Sequence, residues 1–316
     1  MKLKNHLVYR MLQSWEERDK KVLSAQPLPC GVTALCDIPY ADDGETGHLL
    51  DIYFPEEAEG KLPVVIDIHG GGFVYGDKEL NRLFGYHIAK RGYTVFNLNY
   101  RLASDAVKVP GQVQDIMRAL RFIQEHIKDY PADETQVFLM GESAGGVLAV
   151  MAALLLKSPR LRKLFNTPET GLNIKALAIF CGMMRFDAKS IGYRGMRSMC
   201  FEKGYQKQDI YRNMIFDQLP EMALLPPVFL STSQEDELKS MTLDFLRTLQ
   251  KNKIPCQLKC FPKGQQKRLG HIFAILHPGY EESIELIEEM LAFFTKHGAN
   301  KDNSGGVGDR NKSPGF

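Results

Sequence analysis

One pattern limits what this chain can fold into more than any other. From Leu62 onward, short β-rich runs alternate with helical stretches. The runs LPVVIDIH, YTVFNLNY, QVFLM, IKALAIFC, PPVFLSTS and CQLKCF begin at residues 62, 93, 136, 174, 226 and 256. Strands buried on both faces read as continuous apolar runs. Strands alternating with helices build βαβ units around a mostly parallel sheet. Helical spacing is clear over residues 109–128, where Val113, Ile116, Met117, Leu120 and Ile123 share one stripe. Further helices are expected directly after Ser143, over about 238–251 and over about 280–295. Upstream, Val8, Met11, Leu12 and Trp15 stand at i, i+3, i+4 and i+7, which predicts an amphipathic helix over 3–24. VTALCDIPYA and HLLDIYFPE alternate around ADDGETG, the pattern of an antiparallel hairpin.

Two segments break the alternation. Residues 183–225 separate two predicted strands by more than an ordinary loop needs, so a cap or lid is expected there. It carries Met183, Met184, Phe186, Tyr193, Met196 and Met199, side chains that suit adaptable contact with a small apolar substrate or plain packing onto the core. Residues 299–316 hold four glycines and almost nothing apolar, the composition of a disordered tail. The expected division is an N-terminal part over 1–44 with a helix and the first strand, a core unit over 45–298 with the cap inside it, and the tail over 299–316.

Composition narrows the classes further. Hydrophobic residues make up 44% and charged residues 25% of the 316, which excludes a largely disordered or fibrous chain. With 40 basic against 38 acidic residues, net charge gives no ground for nucleic-acid binding. No apolar run reaches the roughly 18 residues of a spanning helix, and charges break up the N-terminal apolar stretches, so a cytoplasmic location is the default expectation. The six cysteines are too sparse for a disulfide scaffold and lack zinc-like spacing, so free thiols are expected.

The chemistry-bearing signal is Gly141-Glu142-Ser143-Ala144-Gly145, which follows an apolar run and opens a small-residue helix. A sharp strand–turn–helix holds such a serine exposed, and the flanking glycines avoid clashes in the turn. A chance G-x-S-x-G has odds of about one in ten, so the flanking strand and helix carry the weight. A second signal, His69-Gly70-Gly71-Gly72, directly follows a predicted strand, and its backbone N–H groups can donate to an oxyanion. A phosphate loop is disfavoured because no G-K-[ST] follows. A serine nucleophile needs a base and an acid to orient it. Asp236 follows the run PPVFLSTS at the turn into a helix, with Glu235 as its local competitor. Among the eight histidines, His271 follows the last predicted strand and precedes the last long helix, with His277 as the alternative. His69 more simply holds the shape of its own loop.

Together these motifs resemble the α/β-hydrolases of the hormone-sensitive-lipase-like esterase/lipase group. HGGGF at 69–73, NYRLASD at 99–105, GESAGG at 141–146, EDEL at 235–238 and GHIF at 270–273 match that group's ordered motifs over about residues 45–295. One departure is YRLASD, where the group often has YRLAPE. The resemblance implies an α/β-hydrolase fold, a mostly parallel central sheet flanked by helices with a cap insertion. It implies a serine carboxylic-ester hydrolase for small or short-acyl esters, with acetylated-carbohydrate and phenolic esters as further classes. A peptidase of the same fold and a non-catalytic relative are the alternatives. It assigns Ser143 as nucleophile, His271 as base and Asp236 as orienting acid. It assigns Gly71 and Gly72, with the N–H of Ala144, as the oxyanion hole. No metal or organic cofactor is expected, and the expected partner is a small-molecule ester.

Overall fold

The computed structural model describes residues 3–185 and 197–299, with side chains from residue 10. Helix α1 (Leu3–Ser24) leads into strands β1 (Val32–Pro39) and β2 (Leu49–Pro55). Then follow β3 (Leu62–Ile68), α2 (Lys78–Ala89), β4 (Thr94–Leu98), α3 (Val109–His126), β5 (Ala132–Glu142), α4 (Ala144–Lys157), α5 (Pro159–Phe165) and β6 (Ile174–Phe180). After the long segment that follows β6 come β7 (Val228–Ser233), α6 (Lys239–Lys251), β8 (Cys256–Phe261), a turn of helix at Phe273–Leu276 and α7 (Glu281–Gly298). The strands form one eight-stranded sheet in the order β1-β2-β4-β3-β5-β6-β7-β8. β1 pairs antiparallel with β2 and β2 with β4, while every later pairing is parallel. The expected hairpin and mostly parallel sheet are both present.

Side chains alternate across a strand, and this distributes the core into two layers. On β3, Val64, Ile66 and Ile68 face the layer that also holds the apolar sides of α3, α4 and α6, while Val65 faces the layer that holds those of α2 and α7. On β5, Val137 and Leu139 face the first layer, Phe138 and Met140 the second. α4 is buried on every side from Ala144 to Leu156, as a helix that is apolar all round must be. Among the described residues no helix is long and apolar enough to cross a membrane.

α1 packs against α2 and the Phe273–Leu276 turn, and three residues of the expected stripe point inward; the side chain of the fourth, Val8, lies outside the described residues. Leu12 is buried, Met11 and Trp15 pack against the first layer, and Trp15 meets Tyr75 with ring centroids 6.0 Å apart. A cavity of about 370 Å³ between α1 and α2 is walled by Asp19, Leu23, Tyr75, Gly76, Leu80 and Leu83, among others. The segment between β6 and β7 contains short helical turns, including Tyr205–Lys207 and Asp209–Arg212. Of the cap residues expected to line a pocket, Phe186, Tyr193 and Met196 lie outside the described residues, as does the tail after Ala299. Met183, Met184, Met199 and Phe201 are buried in the first layer.

Candidate active site

Parallel strands carry ligands beyond their carboxyl ends, and the sheet order sets the site's layout. β3, β5, β6 and β7 are successive neighbours. The glycine loop after β3, Ser143 after β5, Cys181 after β6 and Asp236 after β7 therefore emerge side by side.

Ser143 sits between β5 and α4 at φ 52°, ψ −116°, a left-handed-side conformation that L-residues rarely adopt. Its N–H donates to Phe180 O (2.9 Å) and its C=O accepts from Met183 N–H (2.9 Å), which ties the turn to the end of β6. A side chain at Gly145 would place its Cβ 2.0 Å from Ile68 O, so only glycine lets α4 start this close to β3. Gly71 has φ 94°, and a Cβ there would lie 1.9 Å from Tyr75 O. Among the described residues no protein group accepts from the N–H of Gly71, Gly72 or Ala144.

The imidazole of His271 bridges the serine and the acid. Nε2 lies 2.9 Å from Ser143 Oγ, and Nδ1 lies 2.8 Å from Asp236 Oδ1. With Nδ1 protonated, it donates to the carboxylate and leaves Nε2 to accept from the hydroxyl. Asp236 also accepts from Thr232 Oγ1 (2.7 Å) and from Leu238 N–H (2.9 Å). Burial pushes the Asp236 carboxyl up, but hydrogen bonds from His271, Thr232 and the Leu238 amide outweigh it and hold it below the ordinary carboxylate range. Ser143 and Asp236 are buried, and the His271 side chain keeps 27% of its surface exposed.

The structure separates the candidates that the sequence left side by side. Glu235 turns the other way, and its carboxylate accepts from Gly264 N–H (3.0 Å) and Leu269 N–H (2.9 Å). It thereby pins the loop that delivers His271, a task shared by Ser233 Oγ, which donates to Leu269 O. His277 stacks on Tyr280 at 4.5 Å and takes no part in the Ser143 chain. His69 is fully buried, stacks on Tyr100 at 4.3 Å and bonds Gly70 O through Nδ1 (2.9 Å). Burial lowers it to about 4, so it stays neutral and structural near pH 7.

Several contributors escape sequence reasoning. Thr232 lies inside an apolar-looking strand, and the turn after β7 brings Asp236, four residues on, back to its hydroxyl. Cys181, at φ 50°, is buried beside the same carboxylate, and burial together with the Asp236 charge pushes its thiol up. Cys181, Asp236 and His271 form the one trio among the described residues whose donor atoms, within 4.8 Å of one another, could hold a cation. Both imidazole nitrogens are already engaged by Asp236 and Ser143. The six cysteines are unpaired.

An open, mostly parallel sheet with a serine on a strained strand-to-helix turn, and with acid and imidazole following in that chain order, defines the α/β-hydrolase fold. The chain has the α/β-hydrolase fold and is similar to the hormone-sensitive-lipase-like esterases. Residues 50–200 match the BD-FAE family model. Esterase B from Lactobacillus rhamnosis, solved with a tributyrin phosphonate inhibitor, superposes with a TM-score of 0.84 at 28% identity over 93% of this chain and 96% of its own. A probable carboxylic ester hydrolase of Mycobacterium tuberculosis, LipM, is 30% identical over 64% of this chain and 48% of its own length. The chain thus spans about half of that relative, 48% of its length. An acetyl esterase of Salmonella dublin is 24% identical over 83% of this chain and 78% of its own.

Proposed function

We propose that the protein is a serine carboxylic-ester hydrolase for short-acyl esters, with Ser143, His271 and Asp236 as its catalytic residues. The observation that carries this reading is the unbroken chain from Ser143 Oγ through His271 to Asp236, at 2.9 and 2.8 Å. Ser143 Oγ attacks the ester carbonyl carbon while its proton passes to His271 Nε2. Asp236 keeps the imidazole in the required tautomer and stabilises the imidazolium. The N–H groups of Gly71, Gly72 and Ala144 meet the oxyanion. The tetrahedral adduct collapses to the acyl-enzyme, and the imidazolium gives its proton to the departing alcohol. Water, deprotonated by the same nitrogen, attacks the acyl carbonyl, and the acid leaves as Ser143 is reprotonated.

The short-acyl preference draws support from an acetyl esterase and a tributyrin-phosphonate complex among the similar proteins. Acetylated-carbohydrate and phenolic esters belong to the same range. We take residues about 183–225 as the cap over this site, because Cys200 Sγ approaches Gly72 O at 3.8 Å and Lys108 Nζ donates to Met199 O at 2.9 Å. On the same footing we divide the chain into 1–44, 45–298 and a tail over 299–316. We place the protein in the cytoplasm. Recovery with membranes on cell fractionation would overturn that placement.

A fluorophosphonate probe and a series of p-nitrophenyl esters test the activity. The wild type should label and hydrolyse acetate and butyrate esters, with turnover falling as the acyl chain lengthens, and Ser143→Ala should do neither. Labelling retained in Ser143→Ala, or a preference for long acyl chains, contradicts the reading.

A further inference from the structure

Glu142 occupies a variable place in the G-x-S-x-G motif, yet it is fully buried. Its Oε1 accepts from the Gly70 N–H, and its Oε2 accepts from Asn81 Nδ2 at 2.9 Å. Asn81 Nδ2 also reaches both Asp67 oxygens at 3.1 Å. Among the described residues no lysine or arginine pairs with either acid. Burying a carboxyl without a counter-charge is costly, and an apolar side chain of similar volume would fill the space without that cost. Two hydrogen bonds offset that cost, one from the glycine loop and one from Asn81. Burial and the neighbouring Asp67 carboxyl also push Glu142 well above the ordinary carboxylate range.

The Gly70 carbonyl is fixed independently. Tyr100 Oη donates to Gly70 O at 3.1 Å and to His69 O at 2.9 Å. A peptide unit is planar, so the Gly71 N–H points opposite to the Gly70 C=O. Holding Gly70 at its nitrogen through Glu142 and at its oxygen through Tyr100 leaves the Gly71 amide one direction. Gly70 is also packed tightly against the turn, since a Cβ there would lie 2.9 Å from Glu142 Oε1 and 3.1 Å from Ser143 Cβ.

We infer that Glu142 is a positioning residue for the oxyanion hole: by holding the Gly70 N–H it aims the Gly71 amide at the developing oxyanion. This rests on the ester-hydrolase reading above.

The full-length chain is compared as wild type, Glu142→Gln and Glu142→Met. Each is titrated to the end point with fluorophosphonate, and kcat and KM on p-nitrophenyl acetate are expressed per titrated serine. Glu142→Met should lose about 100-fold in kcat, in the range for a lost oxyanion donor, with KM within about threefold. Glu142→Gln keeps a carbonyl acceptor and should stay within about tenfold of wild type. An acid that merely supports folding would lower the melting temperature and the titratable fraction but leave kcat per titrated serine unchanged, and that result overturns the inference. Equal damage in both variants overturns it as well, because the acceptor would then not matter. Should Glu142→Met fail to fold, Asn81→Ala removes the other tether of the same carboxyl. It should cost about tenfold in kcat per titrated serine, and an unchanged value is again contrary. A wild type that neither labels nor hydrolyses sinks the hydrolase reading and this inference together; an active wild type with indifferent variants sinks the inference alone.

Discussion

At Ser143 the backbone itself is informative. A non-glycine residue at φ 52° stores about 1–3 kcal/mol of strain. Ser143→Ala keeps that strain and Ser143→Gly releases it, while both lose the hydroxyl. The glycine variant should therefore be more stable than the alanine variant by about 1 kcal/mol in urea unfolding, and both should be inert to fluorophosphonate. The neighbouring acids divide as their partners do. Asp236→Asn should cost about 10⁴-fold in kcat, because the amide favours the wrong imidazole tautomer. Glu235→Gln should weaken only the anchoring of the 264–269 loop, with a loss of about tenfold or less. A kinetic comparison of the two variants reads this directly. The buried acids also set opposite pH dependences. Asp236 is held below its ordinary range, so its contribution is full above about pH 4 and disappears as the pH falls further. Asp67 is pushed up by burial without a counter-charge, so its protonated form favours the folded state. Stability from Asp67 is present below about pH 4 and is lost as the pH rises toward neutrality. Melting temperatures of Asp67→Asn measured between pH 4 and 8 should decline less with rising pH than those of the wild type.

At the scale of elements, the close approach of α4 to β3 holds the site together. Gly145→Ala would drive a methyl group to within 2.0 Å of Ile68 O and should cost about 3 kcal/mol or more, beyond ordinary overpacking. Soluble yield and melting temperature will show it. These elements were legible from sequence because their signals are local. Continuous apolar runs marked the parallel strands, the stripe from Val113 to Ile123 marked α3, and the glycines around Ser143 marked the turn. The three groups of the Ser143 chain were legible through motif order. What stayed hidden depends on contacts across the sheet. Asp67 looks like one polar interruption in LPVVIDI, and nothing local says that it faces Asn81 on α2. The separate tasks of Glu235 and Asp236 follow from which way each side chain leaves the turn after β7, and adjacency in sequence is silent on that.

Across the whole molecule, α1 is a terminal element that reaches the segment after β3 through Tyr75. Trp15 packs on Tyr75, and Asp19 accepts from Tyr75 Oη at 3.3 Å. A chain lacking residues 1–24 should lower the melting temperature and slow serine labelling, because Tyr75 borders both Gly71 and the cavity beneath α1. Equal labelling rates would show that α1 serves stability alone. The strand order has a further consequence, in time instead of space. Ser143 and His271 are 128 residues apart in sequence, and Gly70 and Glu142 are 72 apart. Contacts of such long range form late and slowly. Helices can return early in refolding, but on the proposed mechanism the serine should stay unreactive until β7 and β8 have joined the sheet and carried the imidazole to it. Ester turnover should then lag behind the circular-dichroism signal after dilution from denaturant, which makes the reaction itself a clock for the last step of assembly.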